Sequence, residues 1–495
     1  MTVTMSVTLT YSKRFALSIG SSLIAGFLFG ALFHLTTPWA IGIKLFCLAG
    51  LVAVVLQAHT TLRAALIGLA WGWGAHLTGM GWLFVAMHEV GGMPAPLAGL
   101  GLALLAALLA AFTAFSTGLA KSLDLRGLGT ALPFAAAWVL GEWLRSWVLT
   151  GLPWVSVGYG FLDSGFVGAA SSLGVLGVGG AAVLGAVCVV YLFQSRRLKA
   201  VLGGSALLIA CHFAGQQSYT SAFEKPLSVA LLQGNVPQNL KFDRELSQRH
   251  MMDYALQAAG RSEQLIVMPE TALPTTWENL PAETKTIMQS VKSTLLVGSI
   301  GVNKAGLYTN RLSTPFAKDA WQYDKTHLVP FGELIPWGFQ WFVDSMNMPL
   351  SSMGVGESTQ ANLSVNGVAI TANICYEELF AHEWRLASHS ANVLLNASNF
   401  GWYGKSTALP QHANIARMRA LEFQKPYLSA TNNGTTLHVL PTGAVAASLP
   451  DHESGVLSAS VQGMAGVTPY ARWGDWGASM LAVFTLLYAA VRRRR

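Results

Sequence analysis

Eight long apolar runs constrain this chain more than any other feature. A helix needs about 20 largely apolar residues to cross the hydrocarbon core of a bilayer. Runs of that kind lie near 14–35, 38–57, 64–86, 94–119, 129–149, 165–193, 199–214 and 475–491. The sixth is too long for one straight span, which leaves its start open, and the seventh is short. Soluble, disordered and collagen-like chains are excluded, because only 11% of residues are charged where a soluble domain carries about 25%. The deficit is uneven: of 55 Lys, Arg, Asp and Glu residues, 14 fall within residues 1–214. A membrane part and a water-exposed part therefore share the chain.

The expected organisation is a membrane domain of about seven transmembrane helices over 1–214, a mixed-composition domain over 215–473, and a final transmembrane helix with an Arg tail over 474–495. Lys and Arg in short loops mark the cytoplasmic side. Lys13, Arg14, Arg63, Lys121, Arg126, Arg196, Arg197 and Lys199 fall on one side if the N-terminus is cytoplasmic, and Arg492 to Arg495 return to it. The 215–473 block then lies outside, which in a bacterial inner membrane is the periplasm. The net charge of +7 is explained by this topology, so no nucleic-acid partner is expected.

Cys47, Cys188 and Cys211 lie inside apolar runs, where a thiol behaves as a small hydrophobe. No disulfide framework, metal-ligand spacing or cofactor motif emerges. Within the outer block, short β-rich runs at 227–233, 264–269, 293–298, 368–374 and 392–396 alternate with helical periodicity at 244–260, 282–292 and 409–423. That alternation predicts an α/β layer fold, whose chemistry sits just past the strand ends.

Three such ends carry reactive side chains. Ile266-Val-Met-Pro-Glu270 delivers a carboxylate, Ala372-Asn-Ile-Cys375 a thiol, and Tyr323-Asp-Lys325 with His327-Leu-Val-Pro-Phe-Gly-Glu333 an ammonium and a second carboxylate. Cys375, leading into Tyr376-Glu377-Glu378, reads as a nucleophile on a sharp strand-to-helix turn that aims backbone N–H groups at a developing oxyanion. Glu270 is the candidate base. Lys325 is the candidate cation, expected to lower the thiol pKa and to stabilise the oxyanion. His327 and His412 are weaker candidates for a Cys–His dyad, because neither has so clear a strand-end setting. Each of these residues taken singly also has a structural reading, as a buried thiol, a helix-start carboxylate or a solvated charge.

The combination of Pro269-Glu270-Thr271-Ala272, Lys325-Thr-His-Leu-Val-Pro-Phe-Gly-Glu333 and Ile374-Cys375-Tyr376-Glu377 resembles the nitrilase, or carbon-nitrogen hydrolase, superfamily. Gln233-Gly-Asn-Val-Pro-Gln238, Arg417-Met-Arg-Ala-Leu-Glu422 and Thr431-Asn-Asn-Gly434 extend the likeness. The resemblance implies an α-β-β-α sandwich with a Glu-Lys-Cys triad. Membrane helices on both sides, with Glu142-Trp-Leu-Arg145, Gly151-Leu-Pro-Trp154 and Gly158-Tyr159, resemble its membrane branch, the apolipoprotein N-acyltransferases.

That branch implies acyl transfer from a phospholipid, typically phosphatidylethanolamine, to the α-amino group of a diacylglyceryl-cysteine lipoprotein through a thioester. Glu270 would be the general base, Lys325 the oxyanion cation and Cys375 the nucleophile. Tyr376 would supply a second donor, and Glu333 and Glu377 would support the site. Gln238, Phe242, Trp337, Trp402 and Tyr403 are the expected substrate contacts. No metal or cofactor is implied, and the expected partners are the phospholipid donor, the lipoprotein acceptor and membrane lipid, acting on a monomer. Two positions depart from the family pattern: Phe242 stands for a Trp after Lys in Gln-x-Leu-Lys-Trp, and Asn399-Phe400-Gly401-Trp402-Tyr403-Gly404 stands for Asn-Asp-Ala-Trp-Phe-Gly, losing a carboxylate at Phe400.

Glu142 and Arg145, three apart on one helix face, are expected to pair, and Lys44 to snorkel. A membrane-anchored amidase acting on a small carbon-nitrogen substrate would keep the triad, but it would need neither acyl-chain walls nor many helices. A transporter with a ligand-binding outer domain is disfavoured by the triad and by the lack of repeated broken helices. The apolar loop 334–355 is expected to dip into the membrane interface as a lipid-gating lid. Removing the Trp337 and Trp341 side chains together should lower acylation while the domain stays folded. Unchanged acylation in a lipopeptide assay would contradict the lid.

Overall fold

The computed structural model describes residues 2–123, 127–193, 197–238, 241, 243–338, 340 and 352–494. It divides into a helical unit, Met1–Gln217 with Ser406–Asn414 and Trp473–Arg495, and an α/β unit, Ser218–Lys405 with Ile415–Arg472. Phe242 and most of the expected lid, including Trp341, lie outside the described residues.

The helical unit contains α1 (Thr2–Ala31), α2 (Pro38–Gln57), α3 (Thr61–Gly79), α4 (Ala95–Ser122), α5 (Ala131–Arg145), α6 (Ala170–Leu192) and α7 (Arg197–Gly215). Among the described residues, five stretches are long and apolar enough to cross a membrane: Lys13–Ala31, Pro38–Gln57, Ala95–Ser122, Val167–Leu192 and Arg197–Gly215. The runs expected at 64–86, 129–149 and 475–491 are helical but fall outside this set. The first is interrupted after Gly79 and resumes at Trp82 as a short helix passing into a π-helical turn, Val85–Val90. The second yields 15 helical residues, about 22 Å of rise. The long sixth run starts as a helix at Ala170 and breaks at Gly174, whose φ of 67° and ψ of −167° are open to glycine.

Small residues let these helices approach. A Cβ on Gly26 of α1 would lie 2.0 Å from the Trp71 carbonyl oxygen of α3, and one on Gly68 of α3 would lie 2.1 Å from Thr117 Oγ1 of α4. Such contacts supply packing where apolar burial gives no drive, because lipid is equally apolar. Leu17, Ile24, Phe46, Leu104, Phe213 and Phe484 stay exposed on the unit's surface, as a lipid-facing wall requires.

One of two expectations for charged residues in this unit is corrected. Lys44 does not snorkel: it is fully buried and donates to the carbonyls of Leu35 at 2.6 Å and Gly160 at 2.5 Å. Loop carbonyls satisfy the ammonium in place, so it has no need to reach water. Glu142 and Arg145 form the expected ion pair, at 3.9 Å. Glu142 also accepts the Val157 N–H at 2.8 Å, and Arg145 donates to the Leu152 carbonyl at 2.7 Å and to Ser156 Oγ at 3.0 Å. The two residues therefore anchor the loop containing Leu152-Pro-Trp154. Gln411 anchors it again, accepting the indole N–H groups of Trp82 at 3.1 Å and Trp154 at 2.6 Å while donating to the Gly79 carbonyl at 2.9 Å.

Among the described residues the α/β unit has fourteen strands. β1 (Thr220–Ala222) pairs with β14 (Met464–Gly466). The first large sheet runs β13 (Gly455–Val461), β2 (Leu227–Gln233), β3 (Leu265–Val267), β4 (Thr294–Val302), β5 (Tyr308–Ser313), β6 (Gln322–Asp324). The second runs β12 (Val445–Ser448), β11 (Leu437–Val439), β10 (Tyr427–Thr431), β9 (Val393–Ser398), β8 (Val368–Ile374), β7 (Leu363–Val365). Parallel pairing is central in both, across β2, β3 and β4 and across β8, β9 and β10.

Period-2 alternation sends one face of each sheet into a shared core, with Val229, Leu231, Val267 and Leu296 meeting Ile370, Ile374, Leu395 and Leu428. The opposite face of the first sheet, including Ala230, Ile266 and Val297, packs on Tyr254, Ala255 and Ala258 of α8 (Arg244–Ala259) and Met288 of α9 (Ala282–Ser290). Outside the second sheet, Trp384 of α10 (Ala381–Ser390) stacks on Tyr427 at 5.7 Å. The result is the expected α-β-β-α sandwich. It places the ends of β3, β6 and β8 where three reactive side chains emerge.

Candidate active site

Glu270 leaves β3 through Met268 and Pro269, and the backbone turns sharply there, with Thr271 at φ 47°. Gly298 of β4 permits that turn, since a Cβ would sit 2.1 Å from the Pro269 carbonyl oxygen. The carboxylate is buried. Its Oε1 accepts Asn310 Nδ2 at 2.7 Å and its Oε2 accepts the Asn399 N–H at 2.7 Å.

Lys325 follows β6, whose register against β5 is fixed by a two-point pair of Arg311 with Asp324, 2.7 and 2.8 Å long. Its N–H donates to the Asn310 carbonyl at 2.9 Å. The ammonium is 1% exposed and lies 3.7 Å from Glu270 Oε1 and 2.8 Å from Glu333 Oε2. Burial alone would lower its pKa, yet the charges of Glu333, Glu270 and Cys375 hold it well above the ordinary lysine value. Glu333 mirrors this: burial favours its neutral form, but Lys325, the Val329 N–H and Asn310 hold its carboxyl below the usual range. The Asn310 amide therefore bridges Glu270 and Glu333, the latter at 3.1 Å.

Cys375 closes β8 and has φ 54°, a left-handed conformation costing about 1 kcal/mol or more. Asn396 Nδ2 holds its carbonyl at 3.1 Å. Burial, followed by the Glu270 and Glu333 charges, pushes the thiol well above its ordinary pKa, against the Lys325 ammonium and the Asn399 N–H. Lys325 acts in the expected direction, lowering the thiol pKa, but burial and two carboxylates outweigh it. The resting sulfur is a thiol, and a base is needed at the moment of attack.

Glu377 ties the cation loop to the nucleophile turn. Its Oε1 accepts from Thr326 N–H at 2.6 Å, Thr326 Oγ1 at 2.7 Å, His327 N–H at 3.0 Å and Tyr323 Oη at 3.0 Å, while Oε2 accepts the Ile374 N–H at 2.7 Å. Tyr376 is buried beside His327 and Phe380, with ring centroids 5.5 and 5.1 Å away. His327 bonds Glu383 at 2.7 Å, so the pairing observed for it is with a carboxylate.

The expected substrate contacts separate. The Tyr403 phenol is close enough to the cluster that burial, then the Cys375 and Glu270 charges against that of Lys325, push its pKa well up. Gln238 Oε1 accepts Asn399 Nδ2 at 2.7 Å and so orients the residue whose N–H faces Glu270. Trp402 and Trp337 are exposed, the latter 98%. Phe400 is buried with its ring 5.8 Å from that of Tyr403, so an apolar side chain suits the place where the family has a carboxylate. Sequence reasoning missed Asn310, Asn399 as a donor, and Lys241. Lys241 is buried and donates to the Glu270 carbonyl at 3.3 Å. Among the described residues no group of three metal-ligating side chains occurs.

Comparison with known proteins follows the same division of the chain. Residues 25–188 match the family described as apolipoprotein N-acyltransferase N-terminal domain, and residues 228–470 match the carbon-nitrogen hydrolase family. An apolipoprotein N-acyltransferase of Ralstonia nicotianae is 41% identical over 471 residues, covering 92% of this chain and 90% of its own. One of Bordetella bronchiseptica is 38% identical, covering 90% of this chain and 92% of its own. Among solved structures, Nit3 of Saccharomyces cerevisiae is similar over 49% of this chain and 93% of its own, at 17% identity and a TM-score of 0.36.

The electrostatic reading of the thiol is testable by alkylation. Glu333→Gln removes a negative charge facing Cys375 and should move the pH profile of iodoacetamide alkylation of Cys375 down by about one unit. A profile that stays in place or moves up would contradict the proposed balance of charges.

Proposed function

The chain belongs to the apolipoprotein N-acyltransferase family, and from that premise we propose how it carries out acyl transfer. Cys375 Sγ attacks an ester carbonyl of a membrane phospholipid, phosphatidylethanolamine in the first instance, while Glu270 takes the thiol proton. The oxyanion forms against the Lys325 ammonium and the N–H of Tyr376. Collapse breaks the ester C–O bond, Glu270 returns the proton to the departing oxygen, and a lysophospholipid leaves an acyl thioester on Cys375. In the second half, the α-amine of a diacylglyceryl-cysteine attacks the thioester. Glu270 takes the amine proton and gives it to the departing sulfur, which yields the N-acylated lipoprotein and the free thiol.

The observation that carries this reading is the meeting of Glu270, Lys325 and Glu333 around one Asn310 amide, with the Cys375 thiol in their field. A high thiol pKa suits the chemistry, because a base that removes a proton during attack can return it to either leaving group. The named relatives, covered over about nine-tenths of their length, favour transfer over a membrane-anchored amidase. The protein is a membrane protein; we place it in the bacterial inner membrane as a monomer, with 215–473 on the periplasmic side and 1–214 and 474–495 as the membrane parts.

Steady-state kinetics with phosphatidylethanolamine and a diacylated lipopeptide should give parallel double-reciprocal lines. Cys375→Ala should yield no product, and Glu270→Gln and Lys325→Met should lose about 10²–10³-fold or more in turnover. Intersecting lines, or product from Cys375→Ala, would contradict the mechanism.

A further inference from the structure

The proposed site has more negative than positive charge. Three carboxylates, the buried Glu270 and Glu377 and the half-buried Glu333, face the ammonium of Lys325. Forming a thiolate and then an oxyanion in that field adds further negative charge in surroundings that solvate it poorly. A second cation is already present. Lys241 is 4% exposed, donates to the Glu270 carbonyl at 3.3 Å and borders a small cleft shared with Ser247, His250, Tyr254, Thr271 and Asn432. The carbonyl it holds belongs to the residue preceding the left-handed Thr271, on the turn that Gly298 packs against.

We propose that Lys241 is a positioning residue of the acyl-transfer site: its ammonium pins the Glu270 turn and supplies the second positive charge against which the Cys375 thiolate and the tetrahedral oxyanion form. The inference rests on the acyl-transfer reading for the oxyanion, though not for the thiolate. Lys241 faces both Glu270 and Cys375, whose charges favour its protonated form, while burial lowers its pKa to about 8. The ammonium therefore persists through neutral pH. His250 and Tyr254 are the other titratable groups on the cleft wall, both from α8.

The test uses full-length protein carrying Lys241→Met or Lys241→Arg. Without lipid, iodoacetamide alkylation of Cys375 is followed by intact mass across pH. Lys241→Met should shift the profile up by about one unit, while Lys241→Arg, which keeps the charge, should leave it in place. With phosphatidylethanolamine, acyl-enzyme formation should fall about tenfold or more in Lys241→Met and be largely rescued in Lys241→Arg. If Lys241→Met loses its thermal unfolding transition, Lys241→Gln is judged by the same outcomes. An unshifted alkylation profile, or equal defects in the Met and Arg proteins, overturns the proposal. Because alkylation needs no lipid, a normal shift without any acyl-enzyme in the wild type would instead overturn the acyl-transfer reading.

Discussion

The buried ammonium of Lys325 is the interaction on which the site depends. An unpaired ammonium in a low-dielectric interior costs several kcal/mol, so Lys325 can remain there only if carboxylates converge on it. Glu333 meets it at 2.8 Å and Glu270 at 3.7 Å. Those carboxylates must then be satisfied in turn, which the Asn310 amide, the Asn399 N–H and the Val329 N–H accomplish. Each donor comes from a different strand or loop. The charge cluster thus links the ends of β3, β6 and β9 to the middle of β5, and misplacing any of them leaves a buried charge unpaired.

That arrangement explains why the thiol rests protonated beside a lysine. A cation alone would favour the thiolate, but here it is largely committed to carboxylates, and Cys375 feels their charge as well. In the proposed mechanism this is an advantage, since the same proton must be delivered to a phospholipid oxygen in one half-reaction and to sulfur in the other. The strained backbone at Cys375 and Thr271 presents both reacting groups at the rim of a rigid double-sheet core.

The reactive residues were legible in sequence because each is an unusual side chain at the end of an apolar strand. β2 and β8 were readable to the residue, being almost wholly buried, largely apolar runs with clear ends. Asn310 was not legible: it lies mid-strand on β5, a mostly polar strand next to the sheet edge, and its importance comes from register with residues 15 to 40 positions away. Lys241 and Asn399 depend in the same way on what a distant segment places beside them. In the helical unit, Lys44 was misjudged because its helix position says nothing about carbonyls supplied by Leu35 and, 116 residues on, by Gly160. Gln411 was invisible because its two indole partners lie more than 250 residues away in sequence.

The central claim is that Cys375 carries the acyl group between donor and acceptor. Its most direct test is the intact mass of purified protein after incubation with phosphatidylethanolamine and no acceptor, with wild type compared to Cys375→Ala. The account predicts a gain of one fatty acyl chain on the wild type, removed by hydroxylamine, discharged by a diacylated lipopeptide and absent from the variant. Folded wild-type protein that gains no adduct, or a variant that gains the same one, would contradict it.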